Sequence, residues 1–365
     1  MTPETFNQYL NDNAQALDIS PTMFKEATEH YQAVANYLSA KGIPADFYPH
    51  GSFATGTVVR PYSKDPDGYF DLDIVAKRSE FDENSLMPSQ VRLPVDRALS
   101  SGFYSDKLST CDECATIEYS RDGNVGGFNL DIVVAARGNG GSTDISDPLQ
   151  IACLSNHWLA SNPKALIAWF RTVNAPFAAY SSKEYRMRLF KQHRDIYASV
   201  EDVPADMERT SLQRVIQILK RSRDIYCEIA NYDGELIPSC VIMTMAGNIA
   251  NRESPSLDTA GLLKVVVLGI NTAIGRGKEA INLLLADPVD PSTGQSLVIW
   301  HKDDMDLVTL SRWAKTLDEL SNVNLTDDKA VSSQLTRNFG NRAKKPSYVG
   351  LSPTAIARPT KPWSC

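Results

Sequence analysis

The sequence has no apolar run that reads as a membrane-spanning helix, which needs about 20 consecutive residues. No apolar leader is expected either. Its first residues, Met1-Thr2-Pro3-Glu4, are polar and acidic, so no secretory signal is expected. Cysteine is sparse and scattered, with Cys111, Cys114, Cys153, Cys227, Cys240 and Cys365 in 365 residues. That argues against a disulfide framework and for a reducing cytoplasm. Positive charge is also short: 37 Lys and Arg face 44 Asp and Glu, a net charge of −7. Proteins that grip long nucleic acid do so by neutralising phosphates, and this balance argues against that class. A single triphosphate needs only a few local cations.

What remains is ordinary globular material, 42% hydrophobic and 22% charged, in a length that suits two domains. Ser20 can cap a helix that Pro21 opens and Gly42 closes, with Met23, Ala27, Tyr31, Val34 and Leu38 at helical spacing. A short apolar stretch leads into HGSFATGT at 50–57. Turn-rich residues 61–69, which include Asp65 and Asp67, open onto the strand FDLDIVAK. A helix is expected near Gln90 to Leu99. ATIEYS and GGFNLDIVVAA flank a turn at 121–124 and read as a hairpin. Gly138 to Pro148 is a Gly/Ser/Asp loop suited to a domain boundary. Beyond about residue 155 the pattern is helical: 212–229, the nearly all-apolar 239–250 behind Pro238, KEAINLLLA and DLVTLSRWAKTLDELS. From about Asp327 the chain is polar and then Pro-rich, and is expected to be extended.

The chemistry concentrates in a few residues. Asp71 and Asp73 stand at i and i+2 on a strand, so both carboxylates leave one face, roughly 7 Å apart. Two metal ions of a phosphoryl-transfer site sit about 3.5–4 Å apart, which such a pair can ligate with a third carboxylate beside it. Asp131 in FNLDIV is the candidate third; its surroundings nearly repeat those of Asp73. An acid within a buried β-run is costly unless a cation accompanies it. Gly51-Ser52 completes the set: a glycine permits close approach to a phosphate, and the hydroxyl and nearby N–H groups can hold it. A DxD or a GS alone says little, since most DxD pairs are solvated loop acids. The order GS, DLD on a strand, LD on a strand is the informative feature.

That order resembles the polymerase-β-like nucleotidyltransferase superfamily. HGSFATGT-VVRP, FDLDIV, WLASNPKALIAWF, LQRVIQILKRSRD and IPSCVIMTMA are similar to the bacterial CD-NTases, the cyclic-oligonucleotide synthases of CBASS anti-phage systems. The resemblance runs over roughly residues 20–320. It implies an α+β fold: a polymerase-β-like nucleotidyltransferase lobe of mixed sheet and helices over 1–155, then a helical lobe over 156–326, with the active site in the cleft between them. A flexible tail would occupy 327–365. It implies two Mg²⁺ ions, with Mn²⁺ as a substitute, on Asp71, Asp73 and Asp131, and phosphate contacts from Gly51, Ser52, Lys220 and Ser239. The expected substrates are nucleoside triphosphates, ATP among them, and the expected product is a cyclic di- or trinucleotide, with pyrophosphate released. The tail would suit docking of CBASS accessory proteins.

The residues alone leave alternatives. Lys220 could form an ion pair with Asp224, four residues on. Ser239 could be a plain helix-start residue. Arg214, Arg221 and Arg223 could contact nucleotide or form a solvated face. Cys111 and Cys114 make one CxxC with no second pair near it in sequence, so no structural zinc is expected. Linear oligonucleotide synthesis, transfer to RNA or protein, and a non-catalytic nucleotide-binding module are the competing functions.

Overall fold

The computed structural model describes residues 1–60, 62, 68–119, 127–180, 209–230, 237–286, 288–289 and 307–346. Asp65, Asp67, the turn at 121–124 and the Pro-rich stretch beyond residue 346, with its expected docking role, lie outside these residues.

Two helices lead the chain, α1 (Pro3–Gln15) and α2 (Pro21–Ala40). Each is opened by a hydroxyl cap followed by proline: Thr2 accepts from the Thr5 N–H, and Ser20 from the Met23 N–H. Strand β1 (Asp46–Pro49), a single-turn helix α3 (Gly51–Thr55), the long strand β2 (Phe70–Asp82) and helix α4 (Pro88–Ser100) follow. Strands β3 (Leu108–Thr110), β4 (Cys114–Tyr119), β5 (Phe128–Arg137), β6 (Leu149–Ala152) and β7 (Trp158–Ser161) complete a seven-stranded sheet. Its path is β1-β2-β5-β4-β3, with β6 and then β7 added to the end of β5. Among the described residues only β2 and β5 run parallel; the other pairs are antiparallel.

The register between β2 and β5 explains the near-repeat in the sequence. Phe70 faces Phe128, Leu72 faces Leu130, Asp73 faces Asp131 and Ile74 faces Ile132. One face of both strands is apolar and fully buried, with Leu72, Ile74, Leu130 and Ile132 packed against Val91, Val95 and Leu99 of α4 and Val34 and Leu38 of α2. The opposite face carries the aspartates.

The second half is α5 (Pro163–Tyr180), α6 (Ser211–Ala230), α7 (Ser239–Ala250), α8 (Thr259–Arg276), α9 (Lys278–Leu284), α10 (Leu307–Ser321) and α11 (Asp328–Phe339). They share one apolar core built on Leu212, Ile216, Ile242, Met245, Val266 and Trp313. Helix α7 crosses α5 where Gly247 leaves room for the Trp169 ring; a Cβ there would lie 2.5 Å from it.

Three expectations are corrected. Residues 328–339 are not extended: α11 is capped by Asp327 and buries Val331, Leu335 and Phe339 in the helical core. Its apolar residues recur at i, i+4 and i+8 within a polar composition, and that periodicity is the signal that composition hides. Helix α1, expected with the sheet lobe, instead puts Phe6, Leu10 and Ala14 into the helical core. The loop at 138–148 is no boundary, because it links β5 to β6 within one sheet and holds the buried Asp147, whose carboxylate takes the Lys77 ammonium at 2.5 Å and the Tyr48 hydroxyl at 2.9 Å. Among the described residues one helix, α8, is long and apolar enough to cross a membrane by length and composition. Its Leu262, Leu263, Val266, Val267 and Ile270 are buried in the helical core.

Candidate active site

The parallel β2–β5 pair sets the floor of the site. Because Asp73 and Asp131 occupy the same register position, their side chains leave the sheet side by side. Asp71 lies two residues earlier on the same face and is the most exposed of the three. Asn129 faces Asp71 across the two strands. From the other side, β4 places Thr116 opposite Asp131, and the Thr116 hydroxyl donates to Asp131 Oδ1 at 2.5 Å.

The electrostatics are those of crowded acids. Desolvation, with Asp131 next, lifts Asp73 to about 7. Desolvation, again followed by Asp131, lifts Asp71 to about 6, and the Asn129 amide opposes the rise. Asp131 is also raised by desolvation, held back by the Thr116 hydroxyl and by His50. Three carboxylates on one face, each resisting ionisation, form a site that a cation would relieve.

Gly51 and Ser52 stand beside this floor. The His50 N–H donates to the Asp73 carbonyl at 2.9 Å, which ties the turn to β2. Gly51 then takes a φ of +63°, a conformation that glycine adopts without strain. The chain therefore passes against the Asp73 carboxylate with no side chain between. Ser52 is in the first turn of α3, and its carbonyl accepts the Thr57 N–H at 3.0 Å.

Helix α6 holds the segment that follows. Gln213 and Gln217 donate to the carbonyls of Thr55 and Val58 at 2.9 and 3.0 Å. Lys220 donates to the Thr57 carbonyl at 3.0 Å and approaches its hydroxyl at 3.3 Å. These three residues follow i, i+4, i+7 spacing and so share one face of α6. Gln217 and Lys220 are 0% and 2% exposed. Burial lowers the Lys220 ammonium to about 8, with Arg223 adding to the fall and Asp73 opposing it.

The structure gives these side chains definite partners. Asp224 pairs with Arg223 at 2.7 Å, while the Lys220 ammonium goes to Thr57. Ser239 begins α7, and Arg223 reaches both its hydroxyl at 3.3 Å and the Ile237 carbonyl at 2.6 Å. Arg214 is tied to Asp18 at 2.9 Å, and Arg221 lies over the Tyr62 ring. Arg214 and Arg221 are buried, so this is no solvated face.

Three neighbours escaped the sequence reading. Asn129 had a signal: it is the one difference between FDLDIV and FNLDIV. Thr116 and His50 had none beyond nearness to a motif. Burial pushes the His50 imidazole down to about 4, against the pull of Asp131. Its Nε2 is enclosed and has no hydrogen-bond partner among the described residues.

Comparison with known proteins follows the same lines. A c-di-GMP synthase of Roseivirga ehrenbergii is 25% identical over 294 residues, covering 76% of this chain and 69% of the relative. The cyclic dinucleotide synthase CdnG of Bradyrhizobium diazoefficiens is 25% identical over 325 residues, 82% of this chain and 71% of the relative. The chain is a relative of the bacterial CD-NTases. It has their polymerase-β-like fold and is a nucleotidyltransferase. The structure of the CD-NTase CdnG from Bradyrhizobium diazoefficiens in complex with GTP superposes with a TM-score of 0.67 at 23% identity, over 93% of this chain and 97% of that one. The Vibrio cholerae DncV apo form matches at 0.52 and 18%, over 94% and 82%. No protein-family profile matches the chain.

Proposed function

We propose that this CD-NTase relative joins nucleoside triphosphates into a cyclic dinucleotide, with pyrophosphate leaving at each bond. One observation carries the reading: Asp73 and Asp131 stand in register across parallel strands, beside the bare backbone of Gly51. That places paired acids and a close-approach turn at one spot.

The donor set fits divalent magnesium or manganese. All three candidates are hard carboxylate oxygens, the ligand type these ions take. Asp71, Asp73 and Asp131 would hold two ions, which when bound activate an attacking hydroxyl and neutralise the departing phosphates. The chain's own residues do the rest. Thr116 and Asn129 orient Asp131 and Asp71. Gly51 admits a phosphate to the aspartates, and Ser52 offers its hydroxyl there. Lys220 holds Thr57 and lends positive charge near Asp73. Ser239, at the start of α7, is a further phosphate contact.

The cyclic product is supported by the two relatives, which are named as synthases of cyclic dinucleotides. GTP is accordingly the first substrate to test, with ATP beside it. A small cyclic nucleotide is suited to signalling, and we assign it to bacterial anti-phage defence on the strength of the CBASS resemblance.

The test is incubation with all four triphosphates and Mg²⁺ or Mn²⁺, followed by mass spectrometry. The expected product is a phosphatase-resistant cyclic dinucleotide with matching pyrophosphate. A linear ladder or a labelled macromolecule overturns cyclisation. Pyrophosphate release that survives Asp73→Asn overturns the carboxylate assignment.

A further inference from the structure

The turn between β3 and β4 carries Cys111 and Cys114, which the chemistry above does not use. The ladder pairs Thr110 with Ala115, and the Cys111 N–H extends it by donating to the Cys114 carbonyl at 2.9 Å. The two cysteines are thus a hydrogen-bonded cross-strand pair, for which the Cα separation is about 5.5 Å. Disulfides bridge Cα separations of roughly 4.4–6.8 Å. The sulfurs themselves are 2.8 Å apart, and Cys111 is exposed. Arg92, fully buried, fixes the turn by donating to the carbonyls of Cys111, Asp112 and Cys114.

The turn also touches the acid cluster. Cys114 and Thr116 are two residues apart on one face of β4, with Sγ 3.8 Å from the Thr116 hydroxyl. That hydroxyl is the one that donates to Asp131. We propose that Cys111 and Cys114 are a reversible dithiol–disulfide site whose oxidation disturbs Asp131 through Thr116.

The oxidant is a small-molecule disulfide. The exposed Cys111 thiolate attacks one of its sulfurs and expels a thiol, leaving a mixed disulfide. Cys114 then loses its proton, attacks the Cys111 sulfur and expels the second thiol. Two protein thiols give up two electrons and two protons, and the small disulfide becomes two thiols.

Metal chelation suits the pair less well. Tetrahedral zinc with bonds of about 2.3 Å holds its sulfurs roughly 3.7 Å apart, wider than this pair. The adjacent Asp112, Cys153 and His157 bring ligand atoms within 4.8 Å of one another. Asp112 already accepts from the Ser155 N–H and hydroxyl at 2.6 and 2.7 Å, and His157 Nδ1 lies 2.6 Å from that hydroxyl.

The functional arm rests on the nucleotidyl-transfer reading; the covalent arm does not. The full chain is treated with oxidised glutathione, its free thiols are alkylated, and the peptide spanning both cysteines is weighed. The expected mass lacks two hydrogens. Pyrophosphate release and Mn²⁺ affinity should each fall about tenfold, as when an outer partner of a metal ligand is disturbed, and dithiothreitol should restore both. Cys111→Ser should keep the reduced protein's rate and ignore the oxidant. The proposal is overturned when the peptide stays reduced, or when the disulfide forms and neither rate nor Mn²⁺ affinity changes. Should the reduced protein release no pyrophosphate, the nucleotidyl-transfer reading fails, and Mn²⁺ affinity alone decides this one.

Discussion

Asn129 stands directly opposite Asp71 on the neighbouring parallel strand, and its amide donates to Asp71 Oδ1 at 3.1 Å. The strands bring four polar side chains together, and only the one at 129 is neutral. Asn129→Asp would put a fourth carboxylate there and remove the donor that favours ionised Asp71. Asp71 should then hold its proton to higher pH. We expect the rate profile for pyrophosphate release to move to higher pH by about one unit, with several-fold loss at pH 7. An unchanged profile would show that Asp71 ionisation does not limit the reaction.

Asp73→Asn should separate activity from stability. The wild-type carboxylate is desolvated beside Asp131. Its neutral isostere relieves both penalties, so the metal-free protein should melt at a higher temperature. Pyrophosphate release should fall by about a thousandfold or more, the effect of losing several kcal/mol of charge stabilisation. Calorimetry and a pyrophosphate assay on one preparation read both.

Gly51→Ala tests the close approach. An added Cβ would lie 2.2 Å from Asp73 Oδ2, and the positive φ would strain any L side chain. We expect a loss of about 1–2 kcal/mol in stability and at least about a hundredfold in rate, because a displacement of order 1 Å at a reacting centre costs that much.

Metal affinity should depend on pH in a defined window. A folded Asp73 at about 7 and Asp71 at about 6 still carry protons where free carboxylates do not. An ion must displace those protons. Mn²⁺ affinity in the resting protein should therefore rise from pH 5 to about 8 and level off above it. The linkage for folding has the same origin. Raised carboxylates make the metal-free protein bind more protons folded than unfolded, so their contribution falls as pH climbs from about 4 to about 7. His50, lowered to about 4, works in the other direction up to its unfolded value near 6.5. Titrations by electron paramagnetic resonance at several pH values check the affinity.

The parts of the site written as strand pattern were legible. Alternation in FDLDIV and FNLDIV placed Asp71, Asp73 and Asp131 on one face, and the near-repeat is now seen as a matched register. What the sequence hid was partnership across the chain. Gln213 and Gln217 look like solvent residues of an amphipathic helix, yet they bond carbonyls about 160 residues away in sequence. No local period encodes that. Gln217→Ala should accordingly cost about 1–3 kcal/mol, measured in denaturant, since it strands the buried Val58 carbonyl. A surface glutamine would cost almost nothing.

The polar composition of helix α11 hides it for a related reason, and it supplies a further check. Ending the chain at residue 326 removes Val331, Leu335 and Phe339 from the helical core. Each buried apolar side chain contributes about 1.5–3 kcal/mol. The shortened protein should lose cooperative unfolding, whereas a dispensable tail would leave the melt unchanged.

Helices α1 and α11 pack into the same core from opposite ends of the chain, and Asn13 exchanges two hydrogen bonds with the backbone of Lys344, 331 residues on. During synthesis the first helix therefore leaves the ribosome long before its partners exist. Its apolar face, Phe6, Leu10 and Ala14, must wait in solvent or in a chaperone until α6 and α8, the helices it packs against, emerge. The sheet lobe can assemble in the interval, as an insertion that folds ahead of the domain enclosing it. The rate of maturation in the cell would then be set by the return of the chain to its own beginning.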